Sequence, residues 1–117
     1  MRNSVLLAAV FVFAAPALAD ALFFVAPALA DAPIMLTLQN HKFTPGVIKV
    51  KANQPSMIVM VNKDATAEEF DSSDLKIEKV VAGGQSGNIR VRALKPGTYH
   101  FMGEYHDKTA QGVVIAQ

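Results

Sequence analysis

The sequence predicts an all-β fold, a Greek-key β-sandwich of about seven strands, and three observations carry that prediction. Beyond the first thirty residues no apolar pattern repeats at helical spacing over a useful length. Short alternating runs appear instead, bounded by Gly, Pro and Asn, as antiparallel strands require. The segment Leu94-Lys95-Pro96-Gly97-Thr98-Tyr99 forces a turn and places a tyrosine two residues after the glycine. Its hydroxyl can return to the turn backbone, the corner found in such sandwiches.

The first thirty residues read as a separate unit. They open Met1-Arg2-Asn3, run apolar from Val5 to Ala19, and close on Ala17-Leu18-Ala19, the small residues a signal peptidase accepts. Residues 11–21 and 22–32 are near copies, so Ala28-Leu29-Ala30 offers a second cleavage point. Pro16, Asp20 and Pro27 interrupt the apolar run, which favours a cleaved signal peptide over residues 1–30 above a retained membrane anchor. The domain is then residues 31–117, and the expected location is the periplasm. Four of the seven phenylalanines sit in the leader, and the chain has no cysteine. The net charge of +1 gives no reason to expect a nucleic-acid partner. Without disulfides, a domain this small must draw its stability from a well-paired sheet.

Strands are expected at 33–39, 46–51, 56–62, 77–81, 87–94, 97–103 and 112–116. The polar stretch 63–76 reads as a connection with a short helical turn near Ser72–Lys76. Strict alternation in Asn88-Ile89-Arg90-Val91-Arg92 turns Ile89 and Val91 to the core and the arginines to water. By the same period, Tyr99, Phe101 and Gly103 share one face, and His100 and Met102 the other.

No hydrolase motif and no phosphate-cradling glycine loop is present; Gly83, Gly84 and Gly87 read as an ordinary loop before a strand. Chemistry-bearing residues concentrate in two segments. One is Ala67-Glu68-Glu69-Phe70-Asp71-Ser72-Ser73-Asp74, and the other is Tyr99-His100-Phe101-Met102-Gly103-Glu104-Tyr105-His106-Asp107. Imidazole, carboxylate and thioether are ligands for copper, iron or zinc. The candidate ligands are His106, Glu69, Glu68 and Glu104, with Met102, His100 and His41 behind them. Against this stands the ordinary role of such residues as solvated surface groups.

Together GVIKVKANQPSMIVMVNKD, AEEF and LKPGTYHFMGEYHDKTAQGVVIA resemble the cupredoxins over residues 33–117. The run EFDSSDLKIEKV, followed by LKPGTY and EYH, resembles most closely the cupredoxin-like component of bacterial periplasmic ferrous-iron uptake systems. That resemblance implies an iron permease and a second periplasmic metal protein as partners, and copper or iron as the bound ion. It also exposes departures. The ligand cysteine of a blue site is matched by Gly103 and the upstream ligand histidine by Glu68. Ala110 or Gln111 stands where the methionine is expected, and the downstream ligand histidine survives as His106. Without a thiolate, blue-copper chemistry is impossible. Three functions follow: a metal-binding component of iron uptake, a metal-free adaptor docking to a permease, or a copper-dependent Fe(II) oxidase. An enzyme is the less favoured of these, and the pairing of two chains into a homodimer is left open, as is the choice between Glu68 and Glu69 as the inward carboxylate.

Overall fold

The computed structural model describes residues 32–117. The leader expected over residues 1–30 lies outside the described residues. Nine strands form among the described residues: β1 (Ile34–Gln39), β2 (Lys42–Thr44), β3 (Val47–Val50), β4 (Ser56–Asn62), β5 (Glu68–Ser72), β6 (Ile77–Val81), β7 (Ser86–Val91), β8 (Gly97–Gly103) and β9 (Gln111–Ala116). A four-stranded sheet has the order β2-β1-β4-β7, and a five-stranded sheet the order β3-β9-β8-β5-β6. β1 runs parallel to β4 and β3 parallel to β9, while the other pairs are antiparallel. Five of the eight connections between consecutive strands cross between the sheets, with β1–β2, β5–β6 and β8–β9 staying within one, and the architecture is the expected Greek-key sandwich.

Two strands exceed the expected seven, for different reasons. β2 is three residues long, too short to show a period. β5 does alternate, with positions 68, 70 and 72 buried, but two of those three are Glu68 and Ser72. An apolar period cannot reveal a strand whose inward face is mostly polar. Ser72 is tolerated because its hydroxyl donates to the His100 carbonyl at 2.5 Å and accepts the Leu75 amide at 3.0 Å. The helical turn expected near Ser72–Lys76 is instead a tight β5–β6 turn over residues 73–76, with Lys76 at φ 61°.

The alternations that were legible hold. Ile89 and Val91 are buried while Arg90 and Arg92 are exposed, and Phe101 and Gly103 are buried while His100 is exposed. The Tyr99 hydroxyl donates to the Lys95 carbonyl at 2.7 Å, closing the corner.

The three phenylalanines among the described residues meet in the core. Phe70 stacks on Phe101 with centroids 4.8 Å apart, and Phe43 packs edge-on against both at 6.4 and 5.3 Å. Each such pair adds about 0.5–1.5 kcal/mol beyond its buried area. Phe43, Phe70 and Phe101 stand two residues from His41, Glu68 and Gly103 respectively. The aromatic trio therefore anchors the three segments that converge at one end of the sandwich.

Candidate functional site

At that end, β5 delivers Glu68 into the interior, where it is fully buried. A buried carboxylate needs partners on both oxygens, and Glu68 has them. Its Oε1 accepts the backbone amides of Glu69 at 3.1 Å and Tyr105 at 2.8 Å. Its Oε2 lies 2.6 Å from Nδ1 of His106, whose side chain is 27% exposed. His106 ends the short 3-10 turn Glu104–His106 that follows β8, so this contact ties β5 to the loop leading into β9. Gly103 lies directly beneath. A Cβ there would stand 2.7 Å from Cδ of Glu68 and 2.8 Å from Cβ of Ala110. The carboxylate of Glu68 occupies the volume that any side chain at 103 would need.

A second imidazole covers the first. The β1–β2 turn places Asn40 at φ 54° and His41 at φ 58°, a left-handed conformation that only glycine adopts without cost. The Asp64 carboxylate holds it there, accepting the amides of Asn40 at 2.7 Å and His41 at 2.9 Å. The His41 ring then stacks on His106, with centroids 3.5 Å apart and planes 13° from parallel. Backbone donation from His41 pulls the Asp64 carboxyl below its usual range, against some desolvation, and the nearby His41 and His106 imidazoles lower it further. Asp64 is itself placed by Asn62, whose Oδ1 accepts the Asp64 amide at 3.0 Å. The buried Asn62 amide donates to the carbonyls of Thr66 at 2.9 Å and Val81 at 3.1 Å.

Of the seven candidate ligands, the structure brings Glu68, His106 and His41 together and sends the others elsewhere. Glu68, not Glu69, faces inward. Glu69 points to the outer face of the five-stranded sheet, where desolvation, Glu78 and Asp71 raise its carboxyl above the usual range. Glu104 is exposed, and its carboxyl is raised first by a hydrogen bond with Asp71 and then by that group's charge. Met102 is paired with Asp71 on the same outer face. His100 is exposed and belongs with Asp74, which accepts its amide at 2.8 Å and lies 3.5 Å from its Nδ1. Among the described residues no set of three or more His, Asp or Glu side chains is already arranged around one point as a metal cage would be. Asn62 and Asp64 carry no ligand motif in the sequence. Their signal was local: an Asn two residues before an Asp at a strand end, the spacing of an Asx turn.

The outer carboxylates make a prediction with a definite sign. A folded pKa raised above the unfolded value means that ionising Glu104 disfavours the folded state. The penalty is absent at low pH and grows as pH rises above about 4.3, the ordinary Glu value. Glu104→Gln is therefore expected to raise Tm at pH 7 and leave it unchanged near pH 3. An equal rise at both pH values, read by thermal unfolding, would show that the gain is not electrostatic.

The model of the cupredoxin-like domain family matches residues 3–116, and this chain belongs to that family. An uncharacterised protein of Rickettsia prowazekii is 40% identical over 82 residues, 70% of this chain and 66% of that protein's length. The chain thus spans just under two thirds of the length of that relative. Among solved structures, a methionine-to-alanine variant of amicyanin in its Cu(I) form matches with TM-score 0.61 at 18% identity, over 76% of this chain and 86% of that one. Auracyanin A, a blue copper protein of Chloroflexus aurantiacus, matches with TM-score 0.62 at 14% identity, over 74% and 98%. At such identities these two likenesses show the fold alone.

A blue copper centre does not fit the residues present. Gly103, which the resemblance matches to the thiolate position, has no side chain, the Glu68 carboxylate fills the space a side chain there would need, and no cysteine exists elsewhere in the chain. A harder ion does fit the donors. Two ligands at about 2.0–2.1 Å from one ion, at right angles, stand about 2.9 Å apart. Glu68 Oε2 and His106 Nδ1 need only a few tenths of an ångström of opening from 2.6 Å.

Proposed function

We propose that this protein is an exported, non-blue member of its family that binds copper or iron between Glu68 and His106 and serves a ferrous-iron uptake system. In that role it works in the periplasm beside an iron permease and a further periplasmic metal protein. The observation that supports this reading is the facing pair itself: a buried carboxylate oxygen and an imidazole nitrogen 2.6 Å apart at the end of the sandwich. Oxygen and nitrogen donors suit Cu(II), Fe(II) and Fe(III), whereas a soft thiolate–thioether set suits Cu(I). The ion takes the place of the hydrogen-bonded proton, and the rest of the cradle is already built. Glu68 keeps its two amides on the other oxygen, and the loop carrying His106 is anchored by the Gly103 amide on the Ala110 carbonyl at 2.9 Å. The neighbouring resemblance in EFDSSDLKIEKV and EYH supplies the iron-uptake setting.

The test is calorimetric titration of metal-free residues 31–117 with Cu(II) and, anaerobically, with Fe(II), repeated on His106→Ala. One ion per chain is expected, with the substitution abolishing tight binding. Undiminished affinity in His106→Ala would overturn the assignment. If neither metal binds, the Glu68–His106 pair is a closed structural contact and the reading becomes that of a metal-free adaptor that meets the permease through its surface.

A further inference from the structure

We propose that His41 is the third donor to the ion held by Glu68 and His106, delivered by the β1–β2 turn. This deepens the metal-binding reading and rests on it.

Glu68 and His106 alone give one oxygen and one nitrogen, too few for a specific site in which protein ligands number three or four. A further imidazole stands beside them: the His41 ring stacks on the His106 ring with centroids 3.5 Å apart. The two rings are thus already neighbours at this end of the sandwich. The orientation is what must change. Imidazole lone pairs lie in the ring plane, and two nearly parallel rings aim theirs along parallel lines. Binding therefore opens the stack into a V. His106 is fixed by its Nδ1 contact with buried Glu68, so His41, on a turn at the surface, is the ring that tilts.

The turn is built to put an imidazole there. A non-glycine residue at φ 58° is held against its preference, and Asp64 uses both carboxylate oxygens to hold it. An Asn-Gly pair would make the same turn without strain. Asn40 shares the left-handed conformation, and Asn53 and Lys76 adopt it elsewhere, so what distinguishes this turn is the imidazole it sets against His106. Asp64 is a positioning residue. Its oxygens are engaged by amides, and its negative charge beside both imidazoles favours a cation. His41 lies 27 residues upstream of Glu68 and 65 upstream of His106, outside the ligand positions that the cupredoxin resemblance assigns.

The experiment loads the domain with one equivalent of Cu(II) and counts coordinated imidazoles by pulsed electron paramagnetic resonance, alongside the titrations. Two variants are used: His41→Phe keeps an aromatic ring for stacking, and His41→Asn keeps a residue that accepts positive φ. Two coordinated imidazoles are expected in the parent and one in each variant, with affinity falling roughly tenfold or more. One imidazole in the parent, with both variants binding as tightly, would overturn the proposal while leaving the Glu68–His106 site standing. Absence of Cu(II) and Fe(II) binding by the parent would overturn both together.

Discussion

Gly103→Cys is expected to give a colourless protein with Cu(II) and a less stable one without it, although it restores the residue type that a blue site requires. The new Cβ would fall 2.7 Å from Glu68 Cδ, 2.9 Å from its Oε2 and 2.8 Å from Ala110 Cβ. None of these can retreat cheaply: Glu68 is fixed by two amides and an imidazole, and Ala110 is fully buried. Overpacking of this kind costs about 1–3 kcal/mol, to which a thiol beside a buried carboxylate adds. The companion variant Gly103→Cys with Glu68→His and Ala110→Gly removes the carboxylate and the Ala110 Cβ from the path of the new side chain and supplies the missing imidazole. It is expected to develop the intense visible thiolate-to-copper band that the single substitution lacks. Visible absorption after addition of one equivalent of Cu(II), with urea unfolding of the metal-free forms, reads both effects. If the single variant turned blue by itself, the carboxylate would not be what excludes the thiolate.

The same crowding explains which parts of the molecule could be read from the sequence. Strands such as β7 and β8 announce themselves because their inward residues, Ile89, Val91 and Phe101, are apolar and their outward neighbours polar. β5 was legible only as a polar connection, because its inward residues Glu68 and Ser72 satisfy their polarity through long-range hydrogen bonds, with partners 28 to 38 residues away. No local pattern encodes such a partner. The acidic pair Glu68-Glu69 was visible as chemistry, but with no strand legible there the sequence left open which member faces inward. Which one depended on the register of β5 against β8, where Phe70 pairs with Gly103. Glu104 was grouped with His106 on proximity in sequence, yet the 3-10 turn carries it outward to Asp71. His41 carries little weight in the sequence because it stands at a turn and reads as exposed. Its place was set by Asn62 and Asp64, which bring the β4 end against the β1–β2 turn.

Glu68→Leu is expected to cost about 3 kcal/mol, among the larger single losses for a domain of this size. The carboxylate buries no exposed surface of its own, but it serves three donors. Removing it leaves the Glu69 and Tyr105 amides without their acceptor and His106 without its anchor. Leucine fills the volume, so a packing defect is not the cause. The penalty is that of buried polar groups left unsatisfied, about 1–3 kcal/mol for each fully buried one, tempered where Tyr105 and His106 can reach water. Glu68→Gln separates structure from chemistry. Its carbonyl oxygen still accepts both amides, and its amide nitrogen can donate to a neutral His106 Nδ1. Stability should then fall by no more than about 1 kcal/mol, while affinity for Cu(II) or Fe(II) collapses because a neutral amide is a poor substitute for a carboxylate donor. Urea unfolding and metal titration of both variants would separate these roles. If Glu68→Leu proved as stable as the parent, the hydrogen bonds would not be what holds the β8–β9 loop in place. If Glu68→Gln bound metal undiminished, the carboxylate would be a structural strut and the ion would lie elsewhere.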